Sequence, residues 1–90
     1  MAEIKVSATG DETYRVEVRE GNSSSTHDVT ATSADVRRYG GDCDAARLIV
    51  ASFEFLLERE PKESILGSFD LPVIERYFPE YPREIRRRLD

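Results

Sequence analysis

The chain has 90 residues, 39% of them hydrophobic and 34% charged, with a formal net charge of −5. A chain of this length supports one core that buries roughly 60–65% of the unfolded surface, and its apolar content excludes a wholly disordered protein. The acidic balance disfavours nucleic acid as a partner for the whole molecule, because duplex binding rests on neutralising phosphates with Lys and Arg. Cys43 is the single cysteine. It cannot form an internal disulfide, which points to a reducing compartment. The start, Met1-Ala-Glu-Ile-Lys-Val-Ser-Ala8, has neither a basic leader nor an apolar stretch of signal-peptide length, and no segment approaches the roughly 18–20 apolar residues of a membrane span. These features predict a cytoplasmic protein with no membrane segment.

The first third alternates with a period of two. Ile4, Val6 and Ala8 share one face, and Thr9-Gly-Asp11 supplies a turn. Residues 12–20 continue with Tyr14, Val16 and Val18 on one side and Arg15, Glu17 and Arg19 on the other, as in a half-buried strand. The run Gly21-Asn-Ser-Ser-Ser25 predicts a second turn. His27, Val29 and Ala31 then alternate with Asp28, Thr30 and Thr32. Residues 1–32 thus read as a three-stranded antiparallel meander with one apolar and one wet face.

Residues 33–90 read as helical, within the same single domain. Thr32 or Ser33 caps a short helix through Val36 to Tyr39, Thr32 and Asp35 having capping-box spacing, and Gly40-Gly41 terminates it. Asp42 or Asp44 opens the main helix, predicted over about 44–59, where Ala45, Leu48, Ile49, Ser52, Phe53, Leu56 and Leu57 recur at steps of three and four. Val50, Ala51 and Phe55 widen this stripe enough to require two burial partners, the sheet and the segment that follows. That segment is punctuated by Pro61, Pro72, Pro79 and Pro82. Because proline is tolerated in a first helical turn but not in an interior, the spacing predicts three short helices. One runs from Pro61 to about Ser68, one is capped by Asp70 with Pro72 in its first turn, and one runs from Pro82 to Leu89. A sheet with helices gathered on one side is an α+β fold.

No constellation of reactive residues emerges. His27 is the only histidine and lacks an orienting carboxylate on its own face, and a metal site needs two or three further ligands. Cys43 sits near a helix start, which favours a thiolate, but flanking Asp42 and Asp44 oppose it. The glycines match no phosphate-binding spacing. The sequence therefore predicts no catalytic residue, metal site or cofactor, and a protein that is not an enzyme.

Two binding readings remain. Phe55, Tyr39, Tyr77 and Tyr81 exceed what one small core readily hides, and aromatic residues beside arginines favour protein interfaces. Phe55, Tyr77, Tyr81, Arg83, Arg86 and Arg87 are the candidate interaction residues, with a protein partner or a second copy as the occupant. The alternative is a helix-turn-helix over residues 63–88 that touches DNA through the C-terminal arginines. Against it, Pro79 cuts its second helix and Glu75 would face the groove.

The stretches Phe53-Glu-Phe-Leu-Leu-Glu-Arg-Glu-Pro-Lys-Glu-Ser-Ile-Leu66 and Phe69-Asp-Leu-Pro-Val-Ile-Glu-Arg-Tyr-Phe-Pro-Glu-Tyr81 resemble the ending of a group of short bacterial proteins of unknown function. Gly67 and Pro82 depart from that pattern, where a longer polar residue is expected. The resemblance implies a bacterial, cytosolic protein and carries no activity to transfer.

Overall fold

The computed structural model describes residues 2–89. Its elements are β1 (Glu3–Ala8), β2 (Thr13–Glu20), β3 (Ser23–Thr30), α1 (Ser33–Gly40), α2 (Ala45–Leu57), a 3-10 turn (Lys62–Ser64), β4 (Ser68–Asp70), α3 (Val73–Tyr77) and α4 (Tyr81–Leu89). The sheet order is β1-β2-β3-β4, antiparallel up to β3 and parallel between β3 and β4.

The meander follows the alternation closely. Val6 pairs with Val16 and Ile4 with Val18 across β1 and β2, while Val16 pairs with His27 and Tyr14 with Val29 across β2 and β3. Each of these pairs lies on the same face of the sheet, so Val16, Val18, His27 and Val29 are all buried together. Asp28 projects to the wet face, where it meets Arg15. The β2–β3 loop is tighter than the serine run suggests. Glu20 pairs with Ser23, which leaves Gly21-Asn22 as a two-residue hairpin. Gly21 has φ 60° and no non-glycine residue among the described residues has positive φ, so the turn is of the type with glycine at its first central position.

α1 and α2 start where their caps place them. Thr32 Oγ1 accepts from the Asp35 amide and Asp35 accepts from the Thr32 amide, which completes the capping box. Gly41, at φ 64°, ends α1. Asp44 caps α2 by accepting from the Arg47 amide at 2.8 Å. α2 is covered on two sides. Phe53 meets the rings of His27 and Phe69 on the sheet side. Phe55 meets Phe78 and Tyr81 on the side of α3 and α4, with the Arg59 guanidinium over its ring at 3.7 Å from the centroid.

The proline-rich segment departs from three short helices. After Pro61 only the 3-10 turn forms, and from Ile65 the backbone is extended. Ser68–Asp70 then joins the sheet as a fourth strand, so Asp70 is not a helix cap; the residue before α3 is Pro72, without a side-chain cap. The edge of β3 explains this. The Asp28 amide donates to the Gly67 carbonyl and the Leu71 amide donates to the Thr30 carbonyl, both at 2.8 Å, while Phe69 packs on the core. Satisfying an open strand edge and burying an aromatic side chain outweighs the local helical preference. The first of the two helices required by a helix-turn-helix over 63–88 is consequently not formed.

Candidate functional site: an apolar groove beside the edge strand

Polar side chains lock β4 and its approach to the sheet. His27 is 2% exposed, and its Nδ1 lies 2.8 Å from the Leu66 carbonyl oxygen. A carbonyl only accepts, so Nδ1 donates to it, and in the neutral ring Nε2 accepts from the Ser25 hydroxyl at 2.8 Å. This pair has the spacing of a base and a nucleophile, a possibility hidden while Ser25 is read as part of a turn. However, neither residue lines any of the three clefts described in the structure. The arrangement fastens the Leu66 carbonyl to β3. Lys62, also buried, donates to Ser23 Oγ and to Glu63, both at 2.6 Å, and lies 3.5 Å from Glu20. Its ammonium is held more firmly protonated than usual by the Glu63 carboxylate, so it serves as a clamp between the 3-10 turn and the β2–β3 hairpin.

Between this anchored segment and α3 runs a groove of about 200 Å³. Its walls are Leu56 from α2, Ile65, Leu66 and Phe69 from the approach to β4 and β4 itself, and Val73, Ile74, Tyr77 and Phe78 from α3 and the residue after it. Among the described residues, Leu66 and Tyr77 are the large hydrophobic side chains left exposed, at 47% and 66%. Glu60 is the only charged residue in the lining, and its carboxylate has no hydrogen bond or ion pair among the described residues.

Of the six candidate interaction residues, only Tyr77 reaches this groove. Phe55 and Tyr81 are fully buried, because α3 and α4 fold back over α2 and enclose them. Tyr81 is fixed there by a hydrogen bond. Ser52 Oγ donates to the Leu48 carbonyl at 2.8 Å, so the Tyr81 hydroxyl is the donor in its 2.7 Å contact with Ser52. Burial holds the Tyr81 phenol well above the usual range. Tyr39 is buried as well, and its hydroxyl donates to Glu75 at 2.7 Å. Burial first, and that carboxylate second, push its pKa up to about 12. Glu75 also takes a bond from Arg38, so it faces α1 and is committed within the fold.

Arg83, Arg86 and Arg87 are exposed on α4, away from the groove lining. Arg87 faces Glu84, and Arg86 donates to the Arg38 carbonyl at 3.0 Å. Arg86, Arg47 and Cys43 line a separate polar cleft of about 460 Å³ that also includes Asp42. Among the described residues, no three His, Cys, Asp or Glu side chains converge as metal ligands, and no helix is long and apolar enough to cross a membrane.

Leu66, Phe69 and Glu60 carry the groove, and none of them stands out in the sequence. The available signal was Gly67, which breaks the helical pattern directly after Ile65-Leu66. Compared with protein-family models, with curated proteins and with solved structures, the chain finds no match.

Proposed function

We propose that this chain is a non-enzymatic protein-interaction module that receives its partner, another protein or a second copy, at the groove between β4 and α3. One observation carries this reading: Leu66 and Tyr77 come from different elements, yet both exposed side chains border the same apolar groove. Single exposed hydrophobic residues are ordinary on a protein surface, whereas an exposed aromatic beside an apolar concavity is what interface anchors use. Arg76, exposed on α3, adds a residue type that interfaces favour. DNA binding through residues 63–88 has less support, because Ser68–Asp70 pairs as a strand and α3 has only five residues.

The test is a genetically encoded photo-crosslinker at position 77, with position 24, exposed on β3, as the control site. Illumination of cells producing the protein is expected to give an adduct specific to position 77 that Leu66→Asp abolishes. Identical adducts from both positions, or none from position 77, would overturn the proposal.

A further inference from the structure

Resting on that interaction reading, we infer that the groove and the open edge of β4 together receive an extended peptide segment of a partner protein. The segment is apolar at alternate positions and carries a lysine or arginine beside its apolar anchor. The edge supplies the first part of the argument. In a parallel strand each residue directs its amide and carbonyl to one side, and successive residues alternate. Gly67 and Leu71 bond to β3, so Phe69 in the same register also faces β3, while Ser68 and Asp70 turn their backbone groups outward. Two amides and two carbonyls thus lie along an edge that has no further strand among the described residues. A peptide added there would project every second side chain toward the helical face, where Phe69, Leu66 and Tyr77 border the groove.

Charge identifies the occupant. Glu60, unpaired among the described residues, is the one charged group in a lining that is apolar apart from Ser64 and the Tyr77 hydroxyl. A carboxylate in such surroundings favours a cation attached to an apolar chain. A second copy fits less well. Two copies meeting at this groove would each bring Glu60 to the contact, in a protein already at net charge −5. The brevity of β4 points the same way, since a three-residue edge suits a short segment better than another sheet.

The test is selection of a random-peptide library displayed on phage against the full chain, with Tyr77→Asp as the counter-target. Sequences retained by the wild type are expected to alternate apolar residues and to include Lys or Arg. A synthetic peptide from that pool should bind at least about tenfold more weakly to Glu60→Lys, with circular dichroism confirming the fold of both variants. N-methylation of its amides at one parity should weaken binding at least about tenfold, and at the other parity by less than about two-fold. Acidic or helically spaced sequences, insensitivity to amide parity, or no enrichment over Tyr77→Asp would overturn the inference. So would a concentration-dependent dimer lost in Tyr77→Asp, which assigns the groove to a second copy. If the crosslink at position 77 persists in these cases, the interaction module stands and only the strand-addition mode falls; if both fail, both readings fall.

Discussion

Tyr81 and Ser52 form a buried pair whose energetics can be worked out from geometry alone. Ser52→Ala leaves the Tyr81 hydroxyl, at 0% exposure, without its acceptor. An unsatisfied buried donor costs about 1–3 kcal/mol, of which a few tenths return because alanine is the better helix former. Tyr81→Phe keeps the ring contacts with Tyr39 and Phe55, at centroid distances of 5.0 and 5.4 Å, and keeps the Ser52 bond to Leu48. Its expected cost is about 1 kcal/mol. The double variant removes both partners, leaves no orphaned group, and should fall within about 1 kcal/mol of wild type. The coupling expected from the cycle is therefore about 1–2 kcal/mol. Urea unfolding followed by circular dichroism measures it: with a slope of about 1 kcal/mol per molar, Ser52→Ala should lower the midpoint by roughly 1–2 M. Strictly additive single effects, with coupling below about 0.5 kcal/mol, would refute the assignment of Tyr81 as the donor to Ser52.

Alkaline stability should depend on Tyr39, whose pKa is pushed up to about 12 from the ordinary phenol value of 10.0. A raised phenol pKa means that the unfolded chain loses its proton first, so this contribution is complete below about pH 10 and disappears as pH rises through about 12, at roughly 1.4 kcal/mol per pH unit. Urea midpoints near pH 8 and near pH 11 should show a decline that Tyr39→Phe makes shallower; an unchanged decline would remove Tyr39 as its source. Lys62→Met keeps the buried stem and removes the ammonium, while exposed Glu20 and Glu63 regain water, so a loss of no more than about 1 kcal/mol is expected. Lys62→Ala should cost more, and thermal unfolding that ranks the two the other way would show that charge outweighs packing at this site.

Much of the fold follows from local pattern. The period of two in β1 to β3, the Thr32–Asp35 capping box and the Asp44 cap each rest on contacts within a few residues or on adjacent strands, and the structure places them accordingly. The width of the apolar stripe on α2 also carried information, because a helix buried on two sides must present residues such as Phe53 and Phe55 on different faces. What pattern did not convey was which aromatic residues stay outside. Phe55, Tyr39, Tyr77 and Tyr81 are similar in sequence terms, yet three are fully buried and Tyr77 is exposed.

Periodicity, caps and prolines act over short distances, so the meander, the positions of α1 and α2, and the start of α4 are legible in the order of residues. The course of residues 65–71 depends instead on contacts across the fold. Their hydrogen-bonding partners, Asp28 and Thr30, lie far away in the chain, and the His27 contact with the Leu66 carbonyl spans the same gap. No local signal reports whether a distant strand edge is open. That non-local pairing extends the chain after Ile65, turns the backbone of Ser68 and Asp70 outward, and sets Leu66 and Tyr77 around one groove.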